Sequence, residues 1–210
     1  MIERRTTIIV GAGASVECGL PAGKELKGRI AELLDIQFEH GVRQQSGDLT
    51  ICQALRDAVK NSTSTMPDIN PYLYAAWRIR DAMPQAASID NFIDAHQGDE
   101  RIELCGKLAI VQSILEAERQ SELFVDFNNQ RAIDFTNLDK TWFSSFFQLL
   151  TENCQVGQME ERLSSLTLII FNYDRCVEQF LYIALQNYYG ISSEEAAKLL
   201  ANLAVFHPYG

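Results

Sequence analysis

Thr6-Thr7-Ile8-Ile9-Val10 is a β-branched run that ends in Gly11-Ala12-Gly13-Ala14-Ser15 and leads, past Gly19-Leu20-Pro21-Ala22-Gly23, into helical spacing. There Leu26, Ile30, Leu33 and Leu34 share one face through about residue 36. A strand, a glycine turn and then a helix leave few architectures open. The helix must pack back over a sheet, and the next strand then returns parallel to the first. Glycine permits the tight turn and lets phosphate oxygens approach backbone N–H groups, and the Ser15 hydroxyl adds a donor. Val16 stands where G-x-G-x-x-G needs its third small residue. A βα turn that binds nothing is therefore the competing reading. Gly19 to Gly23-Lys24 imitates a phosphate loop, but only three residues separate the glycines and Glu25 replaces the magnesium-binding Ser or Thr. A P-loop NTPase is excluded.

The strand signal returns at Leu166-Thr167-Leu168-Ile169-Ile170-Phe171, which reads as a strand buried on both faces. Asp174 is placed to cap a helix with Val177, Phe180, Leu181, Ala184 and Leu185 at helical spacing, and Ser192 with Glu195 forms a capping box for another, running to about residue 201. A last strand, Leu203 to His207, precedes Pro208-Tyr209-Gly210. Between these parts, residues 40–70 are polar and punctuated, with one helix near 50–60. From Pro71 to about 165 the pattern is helical: Ile102, Leu104, Leu108, Ile110, Val111, Ile114 and Leu115 mark one helix, and Trp142 to Leu150 another. The expected fold class is α/β, a Rossmann-like open parallel sheet from about 1–36 and 165–210 with a large helical insertion over about 37–164. Ending on a strand tip predicts further C-terminal strands after Gly210.

Charge narrows the partners. The formal net charge is −10, and residues 61–210 carry ten basic against twenty acidic side chains. Such a surface repels a phosphate backbone, so direct nucleic-acid binding is not expected, although a nest of backbone N–H groups can still hold one small anion. The five cysteines contain no C-x-x-C pair and read as free thiols in a reducing, cytoplasmic setting, with Cys18 a small core filler. No metal site is expected. No apolar run approaches the ~20 residues of a membrane span, and Met1-Ile2-Glu3-Arg4-Arg5 leads straight into a strand, which leaves no room for a signal peptide.

The polar residues at strand tips are the candidates for chemistry. Read alone, Asp174 is a helix cap and Asn172 a turn residue. Their position argues for more, because ligands of open parallel sheets bind at the carboxyl ends of strands, where Gly11, Asn172 and His207 all fall. His207 precedes proline, is extended, and shares a face with Tyr209. It reads either as a general base or as a surface histidine at a chain end. His40 and His96 sit in polar stretches without evident partners, and Ser88-Ile89-Asp90-Asn91-Phe92-Ile93-Asp94 reads as helix packing with the acids in solvent.

Taken together, Gly11 to Ser15 with Gly19-Leu20-Pro21, Asn172-Tyr173-Asp174, and the tip His207-Pro208-Tyr209-Gly210 resemble the sirtuin-like superfamily. The likeness is to the bacterial branch that hydrolyses NAD, often in antiviral defence, and Ser88 to Ile93 is similar to a segment common there. The resemblance implies a sirtuin-like NAD-binding fold. Gly11, Ala12, Gly13, Ala14, Ser15, Gly19, Leu20 and Pro21 would enclose the pyrophosphate and ribose of NAD, with Tyr209 also on the cofactor side. Asn172 would position the nicotinamide ribose and the attacking water, Asp174 would hold the nicotinamide end, and His207 would be the base. Three departures stand out. Ala22-Gly23-Lys24 replaces the deacylases' Asp-Phe-Arg, their four-cysteine zinc module cannot be built, and Tyr209 occupies the position before glycine where the family histidine stands.

The implied activity is NAD glycohydrolysis to nicotinamide and ADP-ribose by an effector domain of antiviral defence. The alternatives are a module that senses NAD or an ADP-ribose derivative without turnover, an NAD-dependent protein deacylase, and a helical interaction domain on a degenerate sheet. The expected partner is NAD itself, with a homo-oligomer or an associated defence protein also compatible.

Overall fold

The computed structural model describes residues 4–62, 68–126 and 132–208. In chain order the elements are β1 (Thr6–Val10), a 3-10 helix (Ala12–Cys18), α1 (Lys24–Leu34), β2 (Gln37–Glu39), β3 (Arg43–Ser46) and α2 (Leu49–Ser62). Then come α3 (Asn70–Ala82), α4 (Ile89–Ala95), α5 (Glu100–Gln120) and α6 (Trp142–Thr151). A 3-10 turn (Val156–Gln158), α7 (Met159–Ser164), β4 (Leu166–Ile170), α8 (Cys176–Tyr189), α9 (Ser193–Leu200) and β5 (Ala204–Phe206) complete the order. The chain forms two compact units, one of residues 1–20 and 117–210 and the other of residues 21–116, with the boundary in the last turn of α5.

The first unit holds an α/β core. Its sheet has the order β1-β4-β5, all parallel, so the three strands end at one edge. β4 is central because it carries the longest uninterrupted apolar alternation, with Leu166, Leu168 and Ile170 buried. These residues join Val10 and the helices in one apolar cluster, where Phe143 and Phe147 of α6 meet Phe180 of α8 at ring distances of 5.2 and 6.0 Å. The capping box of α9 forms as its sequence predicts, Ser192 Oγ accepting the Glu195 N–H and Glu195 accepting the Ser192 N–H.

The expectation of strands buried on both faces is corrected. Thr167 and Ile169 of β4 are only half-buried, and the in-register row Ile9–Ile169–Phe206 has ends that are 69% and 58% exposed. A short β-branched run looks the same whether one or two of its faces are covered, so the strand signal carried no such information.

In the second unit α1 packs against α3, around a core that includes Ile30, Leu34, Ile51, Leu55 and Ile79. Here β2 and β3 form an antiparallel hairpin that the sequence reading missed. Gln37, Glu39, Arg43, Gln44 and Gln45 are polar and show no alternation. The turn itself was the available signal, since His40 and Gly41 both take positive φ, at 50° and 71°, as tight hairpins require. Ser88 caps α4 by accepting the Asn91 N–H, and Ile89 is buried, which agrees with the packing reading of that segment. His96 stacks on Phe92 in the same unit. No described helix is long and apolar enough to cross a membrane.

Candidate functional site at the strand tips of the first unit

Parallel pairing brings the ends of β1, β4 and β5 to one edge, and the candidate residues of the first unit follow directly from those ends. Val10 leads to Gly11, Ile170 to Phe171 and Asn172, and Phe206 to His207. The glycine turn winds at once into the 3-10 helix, in which the Ala14 N–H donates to the Gly11 carbonyl at 2.9 Å. Two groups of α6 hold this turn. The Trp142 indole N–H donates to the Ala14 carbonyl at 2.9 Å, and the Trp142 backbone N–H donates to the Glu17 carboxylate at 2.7 Å.

Ser15 turns inward from that helix and joins the two motifs. Asn172 Nδ2 donates to Ser15 Oγ at 2.8 Å, and Ser15 Oγ donates to Asp174 Oδ1 at 2.9 Å. The same Oδ1 accepts the Cys176 N–H at 3.1 Å, so Asp174 also ties down the first turn of α8 from one residue outside its cap, Arg175. All three side chains are buried, with exposures of 1%, 3% and 5% for Ser15, Asn172 and Asp174. A buried polar chain of this kind needs every member satisfied. One atom is not: Asn172 Oδ1 has no hydrogen-bond partner among the described residues.

His207 reaches the same tip from β5, by way of the backbone. Its Nδ1 lies 3.4 Å from the Asn172 carbonyl oxygen, and its Nε2 lies 2.7 Å from Glu178 Oε1. Glu178 and the two α6 contacts were not found from the sequence. A glutamate in the first turn of an amphipathic helix looks like any solvated acid, and its partner stands 29 residues further on.

A cavity of about 260 Å³ lies next along the chain, lined by Arg175 and Cys176, the two residues after Asp174, together with Glu118, Leu123 and Phe124. Burial pushes the Glu118 carboxyl above the usual carboxylate range, the Arg175 N–H pulls it back, and the Asp174 charge adds to the rise. The Cys176 thiol is pushed up by its hydrogen bond with Cys18, by burial and by Asp174, which suits a structural thiol rather than a nucleophile. All five cysteines are free and buried.

The remaining sequence-predicted residues divide. Gly11, Ala12 and Gly13 are exposed at the sheet edge and Ala14 is half-buried. Gly19 and Leu20 close the turn, the Leu20 N–H donating to the Ser15 carbonyl at 3.1 Å while the Leu20 side chain enters the core. Pro21 opens the second unit and is buried there, and Tyr209 lies outside the described residues. No metal-holding group of three His, Cys, Asp or Glu side chains occurs among the described residues. The chain matches no protein-family model, no curated protein and no solved structure.

Proposed function

We propose that the first unit is a cytoplasmic NAD glycohydrolase domain of the Rossmann-like, sirtuin-like type, releasing nicotinamide and ADP-ribose, and serving as an effector of antiviral defence. The observation that supports this best is the buried chain Asn172–Ser15–Asp174, which joins the glycine turn to the β4 tip and leaves Asn172 Oδ1 as an acceptor without a donor. A water molecule or a ribose hydroxyl would satisfy that oxygen and be oriented by it. Asp174, with Ser15 and the Cys176 N–H fixed on it, supplies a negative charge beside the site, the sign that an oxocarbenium-like transition state requires. Breaking a glycosidic bond to a good leaving group asks for such stabilisation and a positioned nucleophile more than for a strong acid.

A second reading, a module that binds NAD or an ADP-ribose derivative without turnover, draws on His207. Its side chain is 6% exposed and both ring nitrogens face protein oxygens, so the expected base is enclosed.

The test is release of nicotinamide from NAD, followed by chromatography, for the native chain and Asn172→Ala. We expect turnover to fall by about 100-fold or more. Loss of the bond to Ser15 should cost about 1 kcal/mol of stability. Unchanged cleavage in the variant would overturn the role of Asn172, no cleavage by the native chain would overturn the hydrolase reading, and NAD binding without cleavage by the native chain would establish the sensor.

A further inference from the structure

Glu178 is part of none of the motifs, yet it is the group His207 touches most closely. From the first turn of α8 its Oε1 meets His207 Nε2 at 2.7 Å, and the same oxygen accepts from Arg175 Nη1 at 3.1 Å. The other oxygen, Oε2, is buried and has no hydrogen-bond partner among the described residues. A carboxylate only accepts, so the proton of this contact sits on Nε2. In the neutral ring the lone pair then lies on Nδ1, facing the Asn172 carbonyl at 3.4 Å, where two acceptors oppose each other. A proton placed on Nδ1 converts that opposition into a second hydrogen bond.

We infer that Glu178 is the positioning residue of this site: it fixes His207 in the Nε2–H tautomer and makes Nδ1, turned to the Asn172 strand tip, the atom at which the ring takes up a proton. Among the described residues, the charged groups that contact the ring are Glu178 and, through it, Arg175. The use of that proton in NAD cleavage rests on the function proposed above; the positioning does not.

The ring state can be read directly by nitrogen-15 NMR of the imidazoles in the full chain. There are three histidines in the chain, and His207→Gln assigns the signal. The spectra are followed with rising pH to the plateau at which the ring signals no longer change, where the tautomer of the neutral ring is read. We expect Nε2–H in the native protein. In Glu178→Ala the acceptor left to the ring among the described residues is the Asn172 carbonyl, so the ring should change to Nδ1–H. Glu178→Gln, whose amide oxygen still accepts, should give a mixture. An Nδ1–H ring in the native protein, or a native spectrum in both variants, overturns the inference. If Glu178→Ala does not fold, Glu178→Leu, which accepts nothing, carries the same test, and a ring identical to native there overturns it.

NAD turnover measured alongside should show kcat lowered by up to about 100-fold in Glu178→Ala, partly restored in Glu178→Gln, with KM little changed. A changed tautomer with unchanged kcat overturns the catalytic use of the pair. A native chain that does not cleave NAD overturns the proposed function, and the spectra still decide the positioning.

Discussion

Gly11 and Gly19 bracket the same turn and are glycines for different reasons. Gly19 takes φ 99°, a conformation that L side chains rarely adopt, and its backbone closes the turn onto Ser15 and Val16. Gly19→Ala should lower stability by about 1–2 kcal/mol, measured by denaturant unfolding. Gly11 takes φ −105°, and a Cβ there or at Gly13 would meet nothing within 4 Å among the described residues. Folding alone thus asks for no glycine at either position. Gly11→Ala should keep native stability to within about 0.5 kcal/mol yet weaken NAD binding in calorimetry; equal affinity would remove the turn from the binding site. The contrast also shows what was legible in the sequence. Ser15, Asn172 and Asp174, which the structure joins by hydrogen bonds, stand out in the sequence because each sits at a motif position beside a strand signal. Glu178, Trp142 and Glu17 were not, because no local pattern says which acid or indole of a helix turns toward a partner 29, 125 or 128 residues away.

At the scale of elements, α8 carries both the core and the site. Its Phe180 is fully buried among Phe135, Phe143 and Phe147, while its first turn is tied to Asp174 and Glu178 reaches His207. Phe180→Ala should cost about 3–5 kcal/mol, and a calorimetric melt of the variant checks it; a melt unchanged from native would mean that α8 is not the keystone of this core. Helices with apolar periodicity were readable from sequence, α5 and α6 among them, because 3.6-residue spacing is explicit in Ile102 to Leu115 and Trp142 to Leu150. The β2–β3 hairpin and the open face of the sheet were not. The first is built from polar residues around a His-Gly turn, and the second depends on which helices pack where, a tertiary fact that no strand pattern contains.

For the whole molecule, acidity is the dominant long-range property. A formal charge of −10 with the excess carried by residues 61–210 opposes approach to a polyanion. No retardation of duplex DNA is expected even at about 50 mM salt, where phosphate contacts are strongest; a clear band shift would contradict the charge argument. The parallel pairing of β1 with β4 has a consequence for the time at which the protein comes into being. Thr6 pairs with Leu166, a separation of 160 residues (166 − 6), and His207 follows later still. At about 5–20 residues per second of synthesis, β1 waits on the order of ten to thirty seconds for its neighbour. Throughout that interval the glycine turn exists without Asn172, Asp174 or His207. On the function proposed above, NAD cleavage would have to wait until the β5 tip has emerged, which would keep the nascent chain from draining the cell's own NAD.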